Sequence, residues 1–172
     1  VGSQVAQLAA EAGWTVIGIE KDETTAAAAS ERSGVQVGTE LKDAAGAAIV
    51  IECLPEKRDV KHAVFAEVGG LAAEDAVLVT TGTALSVTDL ALNSGRPNRV
   101  LGLAFPHDPA RTQVELVRPD FADQGALEAV QGFLTDLGRE ATVVRSKPGY
   151  IADGLLFGYL NHAVTMFEAG YA

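Results

Sequence analysis

Apolar residues recur along this chain with two different spacings, one helical and one extended. Val5, Leu8, Ala9 and Ala12 lie three and four apart, one face of a helix, and Gly13 follows as a stop. Residues 14–20 are rich in β-branched side chains, end on an acid and predict a strand. Residues 22–32 return to an alanine-rich helical composition, and residues 35–37 predict a short strand. The runs 49–51 and 77–79 are short and wholly apolar, as parallel strands buried on both faces tend to be. Between them, residues 58–68 place Val60, Val64, Phe65 and Val68 on one helical stripe. Further strands are predicted at 100–105, 114–117 and 142–144, with a helix at 126–137 ended by Gly138. Pro148-Gly149 then punctuates the chain, and Ile151, Leu155, Leu156, Leu160, Ala163, Val164 and Phe167 trace a long helical stripe. Strand and helix alternate, so the expected class is α/β with a doubly wound, mostly parallel sheet.

A length of 172 residues suits one domain, or one domain plus the first element of another. The hydrophobic fraction is 48% and the mean hydropathy +0.17, yet no run approaches 18 apolar residues, which excludes a transmembrane helix. A net charge of −10 repels phosphate backbones and anionic lipid, so nucleic acid and membranes are poor partners. Cys53 is the single cysteine, which rules out an intrachain disulfide or a cysteine metal cluster and fits a reducing cytoplasm. Its place in an apolar run predicts a small buried hydrophobe rather than a nucleophile. No metal site is predicted. The chain opens on Val1, and we expect a fragment of a longer protein.

A dinucleotide fold uses three glycines in G-x-G-x-x-G to let the chain turn, approach pyrophosphate and pack helix on strand. Gly2 fits the third of these, and Glu20 stands 18 residues on, near the roughly 20-residue offset of a ribose-binding carboxylate. Such an acid favours NAD over NADP. A helix start at Gly2 and a solvated acid at a strand end would account for the same residues. Lys57, Arg58 and Lys61 form a basic group that suits either a pyrophosphate or a solvated helix face.

The segment running from Ala48-Ile-Val-Ile-Glu-Cys-Leu-Pro-Glu-Lys-Arg-Asp-Val-Lys-His-Ala-Val-Phe to Val68 carries a strand-Pro-Glu-x₄-Lys-x₃-Phe pattern. Leu85-Ser-Val-Thr-Asp-Leu-Ala91, Arg99-Val-Leu-Gly-Leu103, Val114-Glu-Leu-Val117, Pro148-Gly-Tyr-Ile151 and Phe167-Glu-Ala-Gly170 follow in order. Together they resemble the 3-hydroxyacyl-CoA dehydrogenases. The resemblance implies a Rossmann-type NAD-binding domain over residues 1–147, without its first strand, which would lie between the strands at 14–20 and 49–51. Residues 148–172 would open an all-α C-terminal domain, through which the intact, cytoplasmic protein would form a homodimer. Glu56 and Lys61 would lie beside the nicotinamide half of NAD, and Thr83 would replace a serine whose hydroxyl bonds the substrate oxygen. Glu115 matches the acid that orients the family's catalytic histidine, and Asp153 stands where the family has an asparagine. The reaction implied, in fatty acid metabolism, is oxidation of a 3-hydroxyacyl group, as a CoA thioester, with hydride passing to NAD.

Two departures bear on that expectation. The family's Gly-Leu-His-Phe-Phe-Asn-Pro corresponds here to Gly102-Leu-Ala-Phe-Pro-His-Asp-Pro109, which puts Ala104 where the histidine base should stand. General-base catalysis is worth about 10²–10⁴-fold, so its loss is severe. His107 falls at the position of a cofactor-contacting asparagine and is the candidate replacement base, although a loop histidine between prolines is the plainer account. His62 and His162 fall on predicted helices. The second departure is a missing helical arm: Glu20 is followed by Ile49 after 29 residues, too few for the arm that helps hold coenzyme A in the family. A non-catalytic NAD-binding relative, or a dehydrogenase of a small free hydroxy acid, are the alternatives these departures raise.

Overall fold

In the computed structural model, which describes residues 1–105 and 112–171, the predicted elements appear in the predicted order. Helix α1 (Gly2–Glu11) leads to strand β1 (Ile17–Ile19), helix α2 (Glu23–Ser33) and strand β2 (Gln36–Gly38). Strand β3 (Ile49–Glu52), helix α3 (Arg58–Leu71), strand β4 (Val77–Thr80), helix α4 (Val87–Asn93) and strand β5 (Val100–Ala104) complete the parallel part. Strand β6 (Gln113–Arg118), helix α5 (Gln124–Asp136), strand β7 (Glu140–Arg145) and helix α6 (Ala152–Glu168) follow. Strands β3 to β7 form one sheet in sequence order, parallel except where β6 runs against β5, and β1 pairs with β2 in a separate parallel ribbon. Among the described residues no ladder joins β1 to β3.

Helices cover both faces of the sheet at β4 and β5, which is why these two strands carry no polar alternation. Successive side chains of β4 point to opposite faces: Val77 and Val79 join Leu101, Leu103, Leu116 and α5 residues Val130, Phe133 and Leu134 on one side. Leu78 joins Phe65, Val68, Leu90, Val100 and Val117 on the other, under α3 and α4. Caps fix the helix limits. The Asp22 carboxylate accepts from the Thr25 amide at 2.8 Å to start α2, and Gly34, at φ 70°, ends it in the left-handed conformation that glycine adopts without penalty. Asp123 starts α5 in the same way through the Ala126 amide at 2.6 Å.

Several expectations change. Strand β1 is only three residues long, because Trp14 and Val16 pack against the first cluster; the Trp14 ring meets Phe133 edge-on at 5.2 Å and its indole N–H donates to Asp136 at 3.2 Å. On α3 the predicted stripe holds at Val64, Phe65 and Val68 but not at its first member: Val60 is 41% exposed while Lys61 is 0% exposed. Cys53 lies beyond the end of β3 and is exposed, so it is not the buried strand residue its surroundings in sequence suggest. Helix α4 and two 3-10 helices, Leu41–Gly46 and Pro97–Arg99, add elements that hydrophobic spacing does not announce. Helix α6 has no buried residue, and Leu155 on its apolar stripe is 71% exposed.

Candidate functional site

The parallel strands β3, β4 and β5 end at the same edge of the sheet, and the loops leaving them carry most of the residues singled out by sequence. Glu52, the last residue of β3, is buried and faces Lys61 on the first turn of α3. The Lys61 ammonium donates to Glu52 Oε1 at 3.0 Å, to Glu52 Oε2 at 2.8 Å and to Thr80 Oγ1 at 3.3 Å. Thr80, at the end of β4, donates its own hydroxyl proton to Glu52 Oε2 at 2.8 Å and accepts from the Gly82 amide at 3.3 Å. The Leu54 amide donates to Glu52 Oε1, and the Thr81 amide and hydroxyl reach the Glu52 carbonyl at 3.0 and 3.2 Å. A buried carboxylate and ammonium are each costly alone, and here each closes the other's hydrogen bonds.

Above this network the Thr81–Ala84 loop carries Thr83. The Glu56 carboxylate lies against Gly82, over the place that a Cβ there would take. The connection from β7 to α6 straps the loop down from the other side. The Gly149 amide donates to the Thr83 carbonyl at 3.0 Å and the Tyr150 hydroxyl donates to the Gly82 carbonyl at 2.7 Å. Tyr150 is a bulky residue at φ 47°, in a region that side chains other than those of Gly, Asn and Asp rarely occupy, so this strap holds local strain. Burial, and then the negative charges of Glu56, Glu115 and Asp153, push the Tyr150 phenol well above its ordinary pKa. Tyr150 is therefore a neutral donor.

Glu115 sits on β6 directly across from Ala104 on β5, in the register Ala104↔Glu115. Position 104 is 9% exposed and presents only a methyl group. The Glu115 carboxylate instead accepts from the Ile151 and Ala152 amides, both at 3.1 Å, and so caps the start of α6. Asp153 follows in the first turn of that helix. His107 lies outside the described residues. His62 pairs with Asp89 at 3.3 Å, beside the Arg58–Asp89 bridge at 2.7 Å, and His162 is exposed on α6.

At the other side of the β3 end, α1 begins at Gly2, where an added Cβ would stand 3.3 Å from that of Cys53. The helix N-terminus thus lies at the edge where β3 ends, and Glu20 follows β1 with its amide bonded to the Gly38 carbonyl at 2.9 Å. Helix amides beside a carboxylate at a strand end suit a dinucleotide's phosphate and ribose. Of the residues singled out by sequence, Glu56, Thr83, Glu115 and Asp153 lie around the β7–α6 strap and Gly2 and Glu20 at the other side of the β3 end, while Glu52, Thr80 and Tyr150 were not singled out. An acid closing an all-apolar strand was the available signal for Glu52, and a tyrosine directly after Pro-Gly was the signal for Tyr150.

Residues 27–147 match the family described as 3-hydroxyacyl-CoA dehydrogenase, NAD binding domain. The chain belongs to this family. Among relatives of this NAD-binding domain, a 3-hydroxybutyryl-CoA dehydrogenase from Mycobacterium tuberculosis is 34% identical over 137 residues, which is 78% of this chain and 48% of that protein. A 3-hydroxybutyryl-CoA dehydrogenase from Bradyrhizobium diazoefficiens is 30% identical over 138 residues, 79% of this chain and 47% of its own length. The crystal structure of M. tuberculosis FadB2 superposes with a TM-score of 0.92 at 29% identity, over 99% of this chain and 69% of that one. The chain spans about half the length of the curated relatives it matches. The fold is the expected Rossmann-type α/β arrangement, and NAD is the cofactor of the domain. Among the described residues no helix is long and apolar enough to cross a membrane.

Proposed function

We propose that the protein is an NAD-dependent oxidoreductase of the 3-hydroxyacyl-CoA dehydrogenase type, with its chemical step slowed by the loss of the base at position 104. The observation that carries this is the strap from β7 to α6, which is bonded to the Thr83 loop through the Gly149 amide and the Tyr150 hydroxyl and is held at its far end by Glu115. Oxidising a secondary alcohol removes a hydride from carbon and a proton from oxygen. NAD held at this edge by Gly2 and Glu20 would supply the acceptor for the hydride. The Thr83 hydroxyl bonds the substrate oxygen and fixes the alcohol, while Glu56 bounds the nicotinamide side of the loop. The proton has no acceptor at Ala104, and His107 is the candidate for that part. Glu20 selects NAD over NADP, since a carboxylate accepts from ribose hydroxyls and repels a 2′-phosphate.

Residues 148–172 open a helical C-terminal domain through which the intact protein forms a homodimer, acting on acyl-CoA in fatty acid metabolism in the cytoplasm. A second reading, an NAD-binding relative with a binding or assembly role, is favoured by Ala104 itself. A small free hydroxy acid is the weaker substrate, because its carboxylate would enter the field of three acids around Tyr150.

The test is calorimetry with NADH and NADPH, then turnover of a 3-hydroxyacyl-CoA and of the free 3-hydroxy acid, all on the full-length protein. Tighter NADH than NADPH binding with slow turnover of the thioester is expected. NADH binding without any turnover moves the conclusion to the non-catalytic reading, and a preference for the free acid moves it to the third. Absence of NADH binding rejects all three.

A further inference from the structure

We propose that Lys61 is a positioning residue rather than a cofactor contact: with Glu52 and Thr80 it forms a buried clamp that holds the Leu54–Glu56 and Thr81–Thr83 loops in mutual register. An ammonium has three protons, and three acceptors stand within 3.3 Å of Lys61 Nζ, all of them on Glu52 and Thr80. The side chain is fully buried, so its charge is enclosed beneath the loops rather than facing a ligand above them. Each partner then passes the restraint to one loop. Glu52 accepts from the Leu54 amide and so sets the start of the loop that ends in Glu56. Thr80 accepts from the Gly82 amide at 3.3 Å and so sets the loop that carries Thr83. The Thr81 amide and hydroxyl, both on the Glu52 carbonyl, tie the two loops to each other.

The two loops meet where the Glu56 carboxylate of one lies against the Gly82 backbone of the other, which is where their register matters. A clamp that drifts moves Glu56 and Thr83 apart, which are the groups proposed to bound the nicotinamide and the substrate oxygen. The basic group seen in sequence therefore divides: Arg58 pairs with Asp89 on the surface, and Lys61 turns inward.

The binding arm of the test rests on the NAD-linked function proposed above; the exchange arm does not. In the full-length protein, Glu52→Gln and Thr80→Val each leave Lys61 in place while weakening the clamp. We expect NADH affinity to fall roughly tenfold in each, because small displacements of binding groups are costly. We also expect faster hydrogen exchange at the Leu54 and Gly82 amides, with Leu116 on β6 unchanged as the control for global stability. If Lys61 instead contacts the cofactor, Glu52→Gln frees its charge and NADH binds equally or more tightly, which overturns the proposal. Should Glu52→Gln fail to fold, Thr80→Val decides alone by the same two readouts. Should the unaltered protein bind no NADH, the functional assignment fails, and unchanged exchange at both Leu54 and Gly82 then overturns the clamp on its own terms.

Discussion

Two glutamates near the candidate site, Glu52 and Glu115, have met opposite circumstances. Glu52 keeps a cationic partner, Lys61, in a fully buried pair closed by Thr80. Glu115 faces Ala104, whose methyl group offers it no bond, and turns to two backbone amides at the start of α6. Residue type alone does not separate them. The donors each one meets do: Glu52 closes a buried network with Lys61 and Thr80, whereas Glu115 serves as a helix cap.

The largest effect should come from breaking the first pair. Lys61→Met leaves the Glu52 charge buried and uncompensated, which typically costs about 3–5 kcal/mol. Urea unfolding at neutral pH measures this, and a loss below about 1 kcal/mol would show that Glu52 finds water or another donor.

The second test acts on the empty position. Ala104→His restores an imidazole opposite Glu115, and turnover of a 3-hydroxyacyl-CoA should rise by about 10²-fold, the lower end of what a general base supplies. His107→Ala should change turnover little. Strong natural turnover abolished by His107→Ala would establish a relocated base and reverse the contrast drawn between the two acids.

A smaller effect is expected at the cap. Glu115→Ala removes the acceptor for the Ile151 and Ala152 amides and should cost about 1 kcal/mol, the usual value of a helix cap. Faster exchange at those two amides locates the loss; Glu115→Gln keeps an acceptor and should show a lesser change.

The smallest effect concerns acids outside the site. Hydrogen bonding from the Ala126 amide, aided by Arg99, holds the Asp123 carboxyl below the usual aspartate range, and the Thr25 amide lowers Asp22 in the same way. Because the folded pKa lies below the unfolded one, this stabilisation is complete above the ordinary aspartate value. It is lost as pH falls through the lowered folded value. Melting temperature followed into acid should therefore decline less steeply in Asp123→Asn than in the unaltered protein.

Most of the fold was legible because strands buried on both faces leave apolar runs, and helices between them end on glycine or begin on aspartate. The inward turn of Lys61 was not legible: it lies one place from Val60, and spacing alone favours the valine as the inward residue. Only pairing with Glu52, nine residues earlier on another element, reverses the choice. Sequence could nominate residues such as Thr83 and Glu20, whose proposed chemistry depends on local position alone. The site was hidden where it depends on distant backbone, as with the Glu115 bonds to amides 36 and 37 residues away. Tyr150 combines both difficulties, since its role needs a left-handed backbone angle and a carbonyl 68 residues earlier in the chain.

Helix α6 has the mechanics of a lever. Its 17 residues make a rod about 25 Å long, no side chain of it is buried, and its first turn is fastened at Glu115. A tilt of about 10° at that fulcrum displaces the far end by about 4 Å, from the same helical rise. Whatever rests along the rod is therefore aimed from one end, by a carboxylate on β6.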